Sequence, residues 1–306
     1  MKEQIICKVN EAIEELGYTP SYIARSLVLQ KTSLIGVIIP DITSSFFSTI
    51  LSSIEECASQ NNYNILMCNI SENLNKELKY LNIFNEMRVD GIILMHERVN
   101  DSIYEFLNKL DIPVVLSSAK PSDLMFPSVN INDNRASYDA TNYLISLGHK
   151  KIALIGGYME DISTGKNRFC GYKKALEAND IILNEEYVKQ GNYKLQDGYK
   201  LMEELLRCKD IPTAVFAVSD DMAVGAMNCI LDNGLRVPDD ISIVGFDDSN
   251  LASMVRPRLT TVHQPISEIG TMSVEILLNI INSQEILIDE VVLNHKLVVR
   301  DSCQKI

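Results

Sequence analysis

The chain has 306 residues, of which 46% are hydrophobic and 23% are charged, and its formal net charge is −13. This length predicts about two globular domains. No apolar run approaches the roughly 18 residues of a membrane-spanning helix, and the charged N-terminus lacks the apolar core of a signal peptide. The excess of acidic residues disfavours a nucleic-acid-binding surface over most of the chain, because phosphate binding needs Lys and Arg.

Seven cysteines are spread irregularly along the chain, and no two of them form a C-x-x-C pair. This pattern is typical of reduced thiols in a cytosolic protein, and it predicts neither a disulfide framework nor a metal framework. We therefore expect a cytoplasmic protein with no membrane partner.

The first 33 residues differ from the rest in charge. They contain four basic and four acidic residues, so the remaining chain carries the whole net charge of −13. Val9–Leu16 has an apolar helical stripe that stops at Gly17, and Ser21 can cap a second helix over Tyr22–Leu29. Two interpretations stay open: a pair of packing helices at a terminus, or a linker to a unit upstream.

The next hundred residues alternate short apolar runs with helical patterns. This alternation predicts a parallel sheet wrapped by helices. The predicted strands are Leu34–Ile39, Ile65–Cys68, Gly91–Met95 and Pro113–Leu116, and the predicted helices are Phe46–Gln60, Asn75–Met87, Ser102–Leu110.

The same alternation starts again after a switch near Val129–Asp133. Its predicted strands are Ile152–Ile155, Ala214–Val218 and Ile241–Phe246, with helices over Arg168–Ala178 and Met222–Asn233. The tail has an extended stretch over Leu259–Pro265, a helix over Glu268–Asn282 and one or two strands over Val291–Arg300. The sequence therefore predicts an α/β protein with two doubly wound units, whose tail returns between them.

Polar residues follow four of the predicted strands. They are Asp41, with Phe46 behind it; Gly156-Gly157, with Arg168 behind them; Ser219-Asp220; and Asp247-Asp248. Ligands of open parallel sheets bind outside the carboxyl ends of the strands. Any one of these residues could simply cap the following helix. For the four strand ends together we favour a cleft for a neutral polar ligand such as a sugar.

Motifs for catalysis are not found. Gly165-Lys166 lacks the preceding glycine and the following Ser or Thr of a phosphate loop, and His96-Glu97 lacks the second histidine of a zinc helix. No G-x-S-x-G nucleophile elbow and no G-x-G-x-x-G dinucleotide loop occurs. We therefore expect no enzyme activity, no catalytic residue, no metal and no cofactor.

Several segments together resemble one family from about Lys2 to Ser302. They are Glu11–Pro20, Ala24–Leu27, Ile35–Asp41, Leu147–Ile152, Arg168–Tyr172, Ile243–Asp248, Leu259–Pro265 and Val298–Ser302. In these segments the amino-acid sequence resembles the lactose/galactose repressor (LacI/GalR) family of bacterial transcription regulators. The periplasmic sugar-binding proteins share the core fold, but they begin with a signal peptide and lack the segment Ala24–Leu27.

The resemblance implies a two-lobed fold like that of periplasmic binding proteins, with a doubly wound parallel sheet in each lobe. Residues 1–32 would be a short helical remnant of the DNA-binding domain followed by a hinge helix. Residues 33–131 with 264–290 would form the N-terminal lobe, and residues 132–263 with 291–306 the C-terminal lobe.

The resemblance also implies the residues that hold a small effector between the lobes. Arg168 would grip ligand hydroxyls with its planar fork, and Asp247 would accept hydrogen bonds from them. Phe46 and Phe216 would face the ligand ring. The other wall residues carried over by position are Asp41, Asp133, Ser219, Asp220 and Gln264.

For the hinge helix, the resemblance implies that Leu27 wedges into the DNA minor groove, with Ala24 and Arg25 close to the backbone. The family's first two helices, which include the major-groove reader, are expected before residue 1. The sequence as given is therefore expected to bind operator DNA poorly on its own.

We expect a dimeric, ligand-responsive repressor whose partners are a sugar-like effector and, with the full N-terminal domain, operator DNA. Two alternatives stay open: a cytosolic sugar-binding protein without DNA binding, and an α/β enzyme acting in the cleft.

Overall fold

The computed structural model describes Glu15 and residues 31–71, 73–95, 101–119, 126–282 and 290–306. The predicted remnant and hinge helices over residues 1–32 therefore lie almost entirely outside the described residues. Two parallel-sheet units follow, and the predicted two-lobed α/β architecture is confirmed. No helix among the described residues is both long and apolar enough to cross a bilayer.

The first lobe is a six-stranded sheet in the order β11-β5-β4-β3-β1-β2, with every pair parallel. Its strands are β1 Leu34–Ile39, β2 Asn64–Asn69, β3 Gly91–Leu94, β4 Val114–Ser117, β5 Ser128–Ile131 and β11 Glu290–Leu293. Its helices are α1 Ser45–Gln60, α2 Leu74–Glu86, α3 Asp101–Lys109 and α9 Ile266–Ile281.

The apolar strand β1 lies inside this sheet because both of its faces are covered. Five of its six residues are buried, and it hydrogen-bonds β2 on one side and β3 on the other. The helix α9 packs on α1 at close range, since a Cβ on Gly270 would lie 2.7 Å from the carbonyl oxygen of Ile50. This close packing holds α9 on the first lobe although its sequence follows the second.

The second lobe is a six-stranded sheet in the order β12-β10-β9-β8-β6-β7, parallel except that β12 runs antiparallel to β10. Its strands are β6 Ile152–Gly156, β7 Val188–Gln190, β8 Ala214–Ala217, β9 Ser242–Asp247, β10 Thr260–His263 and β12 Lys296–Val298. Its helices are α4 Asp133–Ser146, α5 Arg168–Ala178, α6 Leu195–Leu206, α7 Asp220–Asp232 and α8 Asn250–Met254, with a π-helical turn over Ile162–Asn167 before α5.

Within the described part of the chain, crossings between the lobes occur in three places: between β5 and α4, between β10 and α9, and between β11 and β12. The last crossing corrects the expected boundary at residue 291. Glu290–Leu293 pairs with β5 in the first sheet, and only Lys296–Val298 reaches the second. The physical reason is that the apolar run of the tail is divided by Asn294 and His295, so each half can join a different sheet.

Four strands and α-helices described in the second lobe were not predicted: β7, α4, α6 and α8. The strand β7 has only three residues and none is buried, and α8 is a five-residue helix, whereas α4 and α6 are of ordinary length. Short elements carry little hydrophobic periodicity, which explains why the sequence pattern does not show β7 and α8. The helix α6 does have an apolar stripe at helical spacing, over Leu195, Tyr199, Met202 and Leu206, and this signal could have predicted it. The strand β7 nevertheless places a loop at the edge of the sheet where a ligand would bind.

Candidate functional site

The two sheets share one topological feature that predicts where a ligand binds. In each lobe the strand order reverses beside the first strand, between β1 and β3 in the first sheet and between β6 and β8 in the second. A crevice forms at such a switch point, outside the carboxyl ends of the strands. The two edges face each other, because Lys194 Nζ of the second lobe lies 3.9 Å from Asp41 Oδ2 of the first.

Arg168 stands at the centre of the second-lobe edge. Its Nε donates to Asp133 Oδ1 at 2.8 Å, and its Nη1 donates to the Val218 carbonyl at 2.6 Å. The guanidinium carbon lies 3.6 Å from the centre of the Phe246 ring. Both charged side chains are more than nine-tenths buried, so this ion pair is held away from water. The arginine is thus fixed in orientation by a carboxylate, a carbonyl and an aromatic face.

Asp247 ends the strand β9 in an unusual conformation. Its φ is +115°, which aims the carboxylate differently from a regular strand end. Gln264 donates from Nε2 to Asp247 Oδ1 at 2.7 Å. Burial raises the pKa of Asp247 well above its ordinary value, and the charge of Arg168 opposes this rise. The pair joins the second lobe to the crossing that leads into α9, since Gln264 lies between β10 and α9.

Asp220 is almost fully buried at the first turn of α7. It accepts from Thr261 Oγ1 at 2.6 Å and from the Ser249 amide at 2.7 Å. Burial raises its pKa to about 7, against the effect of these hydrogen bonds. The neighbouring Ser219 caps α7 by accepting from the Met222 amide at 3.2 Å. Both residues therefore lie at the expected edge of the sheet, but their side-chain oxygens already accept hydrogen bonds from other residues of the protein.

The first-lobe edge is more open. Asp41 accepts from the amide of Thr43 at 2.9 Å and from its hydroxyl at 2.7 Å. Phe46 lies in the first turn of α1, half-buried, with its ring edge-on to Phe47 at 5.2 Å between ring centres. A half-exposed aromatic face and a carboxylate at one strand end suit a polar ring compound.

One predicted ring contact, Phe216, has no exposed surface in this structure. Phe216 lies within β8 and packs against Phe246 at 6.3 Å between ring centres. It is enclosed because β8 lies inside the sheet between β6 and β9, with all four of its residues buried. The predicted DNA contacts Ala24, Arg25 and Leu27 lie outside the described residues.

Tyr193 lies just after β7, at the carboxyl edge of the second sheet, and is not among the predicted site residues. It has a φ of +61°, and bonds from its hydroxyl to Asp161 Oδ2 at 2.8 Å and Thr164 Oγ1 at 2.7 Å. Its ring lies against Gly157, where a Cβ would be 1.9 Å from the tyrosine oxygen. The signal was an aromatic residue two positions after Gly191. It was hidden because β7 was not recognised as a strand.

Asp221 is a second missed residue, in the same turn as Asp220. Burial raises the pKa of Asp221, and the negative charge of Asp41 on the first lobe raises it further. The approach of the two strand-end regions is seen directly in the 3.9 Å contact between Lys194 Nζ and Asp41 Oδ2. Carboxylates outnumber cations here, so the charges present favour a neutral ligand over an anion.

The histidines and acids form no other centre within the described ranges. No group of three or more His, Cys, Asp or Glu side chains in the described part of the chain is arranged to hold a metal ion. His149 instead has structural partners, with Nδ1 3.0 Å from Thr213 Oγ1 and Nε2 3.1 Å from Ser242 Oγ. Burial lowers its pKa.

Comparison with known proteins gives relatives across most of the chain. A family model described as periplasmic binding protein-like domain matches residues 141–303. The HTH-type transcriptional regulator RegA of Clostridium saccharobutylicum is 38% identical over 295 residues, which are 96% of this chain and 89% of that protein. Catabolite control protein A of Priestia megaterium is 39% identical with the same coverage.

The similar solved structures are also transcription regulators. The transcription regulator CcpA of Lactococcus lactis is 33% identical with a TM-score of 0.84, over 89% of this chain and 99% of that one. A LacI family transcriptional regulator from Enterococcus faecium with bound ribose is 31% identical with a TM-score of 0.79 and the same coverage. The transcriptional regulator CelR in complex with cellobiose is 27% identical with a TM-score of 0.81, over 96% of this chain and 89% of that one.

Proposed function

We propose a function for this chain from the premise that it belongs to the LacI family of transcription regulators. It is a ligand-responsive repressor that binds a small, uncharged polar effector, of the sugar class, between its two lobes. Binding changes the angle between the lobes, and with it the fit of the N-terminal segment to operator DNA. This is a shift between two populations, whose size is set by the difference in effector affinity for the two states.

The observation that carries this proposal is the prearranged polar edge of the second lobe. Arg168 interacts with Asp133 and Asp247 on the second lobe, and this lobe approaches the first where Lys194 meets Asp41. A fixed guanidinium and carboxylates match the hydroxyls of a sugar, and the aromatic side chains match its apolar faces. The ribose and cellobiose bound by two structural neighbours are compounds of this class.

Two other functions are less well supported by the relatives. A sugar-binding protein without a DNA role is not favoured, because the regulators match the chain over 96% of its length, including most of residues 1–32. The relatives are transcription regulators and not enzymes, which disfavours an enzyme acting in the cleft. We propose that the protein acts as a homodimer in the cytoplasm, where its operator lies, and sedimentation velocity measures the oligomeric state.

A thermal-shift screen with ribose, cellobiose, glucose and adenosine tests the effector class. A ligand at 100 times its dissociation constant stabilises the folded state by about 2.7 kcal/mol. The matched variant is Asp247→Asn, which keeps the shape of the side chain and removes its charge. The control is Asp301→Asn, which breaks an exposed pair with Arg258 on the same lobe. We expect one compound to shift the wild type and the control but not Asp247→Asn. Equal shifts in all three proteins, or none in any, would contradict the proposal.

A further inference from the structure

The junction between the N-terminal segment and the first lobe is held by one carboxylate. Asp90 lies in the turn between α2 and β3, beside the residues that lead into β1. Its Oδ1 accepts from the Thr32 amide at 2.8 Å, and its Oδ2 accepts from the Ser33 amide at 2.8 Å. The Thr32 hydroxyl lies 2.8 Å from the same Oδ1 and 2.9 Å from the Arg88 carbonyl, and its one proton serves either acceptor. Both oxygens of one side chain thus bind two successive residues.

The main chain strengthens this contact. The amide of Asp90 donates to the Leu34 carbonyl at 2.8 Å, and the amide of Asn64 donates to the Ser33 carbonyl at 2.9 Å. Ser33 and Arg88 have φ values of +48° and +53°, a region that side chains other than glycine seldom adopt. Such conformations persist where the surrounding structure determines them. The path of residues 32–34 along the first lobe is therefore fixed by bonds from two directions.

The position of this contact gives it a role. In sequence, Thr32 comes directly after the segment that contains the expected DNA contacts Ala24–Leu27. At its other end, β1 leads to Asp41 and Phe46 at the cleft. The buried strand β1 spans about 20 Å at 3.3 Å per residue, and it connects the cleft wall to the junction as one rigid element.

We propose that Asp90 is a positioning residue, which fixes the direction in which the N-terminal segment meets the first lobe. Without this bond, residues 31–33 act as a flexible joint, and a rotation of the first lobe is lost before it reaches the segment. The bond itself is independent of any ligand. Its consequence for DNA binding rests on the function proposed above.

Trypsin cleavage of the full chain after Lys31 tests the proposal. The scissile bond contains the Thr32 nitrogen, which is the amide that Asp90 holds. In Asp90→Asn the side chain keeps its shape but loses its charge and one acceptor oxygen. We expect cleavage after Lys31 to become about tenfold faster or more, the value of a lost hydrogen bond to a charged group. Cleavage after Lys79 and Lys109 in the same lobe is the internal reference and is expected to stay unchanged.

Two further variants make the test independent of folding defects. Thr32→Val removes the hydroxyl contact but keeps both amide bonds, and we expect a smaller rise of about threefold. Asp301→Asn on the second lobe is expected to leave cleavage after Lys31 unchanged. Unchanged cleavage in both junction variants would overturn the proposal. An equal rise at Lys31, Lys79 and Lys109 would also overturn it, because Asp90 would then stabilise the lobe as a whole. The trypsin assay contains no effector or DNA. A negative effector screen therefore contradicts only the proposed function, and unchanged cleavage after Lys31 contradicts only the proposed role of Asp90.

Discussion

The two walls of the cleft differ in how firmly their polar side chains are held. On the second lobe, Arg168, Asp133 and Asp220 are more than nine-tenths buried and bonded within the protein. On the first lobe, Asp41 and Phe46 are half-buried, and the bonds of Asp41 are to its own loop and to an exposed lysine. The comparison indicates that the polar side chains of the second lobe are more firmly prearranged than those of the first.

The largest effect on stability is expected from removing the buried ion pair of the second lobe. Arg168→Ala leaves Asp133 buried without its partner, and the free energy of unfolding is expected to fall by about 3–5 kcal/mol. Arg135→Ala is the matched control, because Arg135 pairs with Asp139 on the exposed face of α4 and its loss costs about 1 kcal/mol or less. Urea denaturation measures both. Equal losses in the free energy of unfolding would show that the buried pair matters no more for stability than the exposed pair.

A smaller effect is expected from displacing the aromatic side chain of this wall. Gly157→Ala puts a methyl group on the ring of Tyr193, and overpacking of this kind costs about 1–3 kcal/mol. Gly156→Ala is the neighbouring control, since its Cβ would meet other atoms at ordinary distances of 3.4 Å or more. Urea denaturation gives the stability and the effector screen gives binding. A greater loss in the Gly156 variant would contradict this account of the wall.

The pH dependence of stability tests the buried acids of the same wall. The pKa of Asp220 is about 7 in the folded protein, above its ordinary value, so the native state binds more protons than the unfolded state between about pH 4 and 7. The contribution of Asp220 to the free energy of unfolding therefore falls as the pH rises through this range and is level above it. In Asp220→Asn the slope between pH 5 and 7 is expected to shrink.

Thermal melting at several pH values measures this slope. Asp240→Asn is the control, because Arg236 holds the pKa of Asp240 below its usual range and its titration lies outside the window. His149 acts in the opposite direction, since its lowered pKa means that stability is lost as the pH falls below about 6.5. An unchanged slope in Asp220→Asn would show that this acid does not titrate in the window.

The smallest effect is expected on the loose side of the cleft. Lys194→Ala removes the 3.9 Å contact with Asp41, in which the lysine is 55% exposed, and exposed pairs contribute about 0–1 kcal/mol. The difference from wild type is expected to vanish in 1 M salt, where screening acts within about 3 Å. Melting at low and high salt measures it. A salt-independent loss above about 2 kcal/mol would show that the first-lobe wall is as firmly held as the second.

The strand and helix pattern was largely predictable. Arg168–Ala178 begins and ends at the predicted residues, and β1 coincides with the predicted Leu34–Ile39. The positions of Asp41, Arg168 and Asp247 near strand ends or helix starts were also predictable, because each lies close to the end of an apolar run or opens the next helix. The burial of Phe216 and the place of Tyr193 were not predictable, since the first depends on how the helices cover the end of β8 and the second on an unrecognised three-residue strand.

The sequence by itself determined the alternation of strands and helices and the membership of the family, because hydrophobic periodicity and short sequence motifs are local properties of the chain. Only the tertiary structure decided that Glu290–Leu293 joins the first sheet, since its partner Ser128 lies far away in sequence. The same holds for Arg168 with Asp133, and for Asp90 with Thr32 and Ser33. These contacts form when distant segments pack together, and no local pattern of residues encodes which oxygen meets which amide.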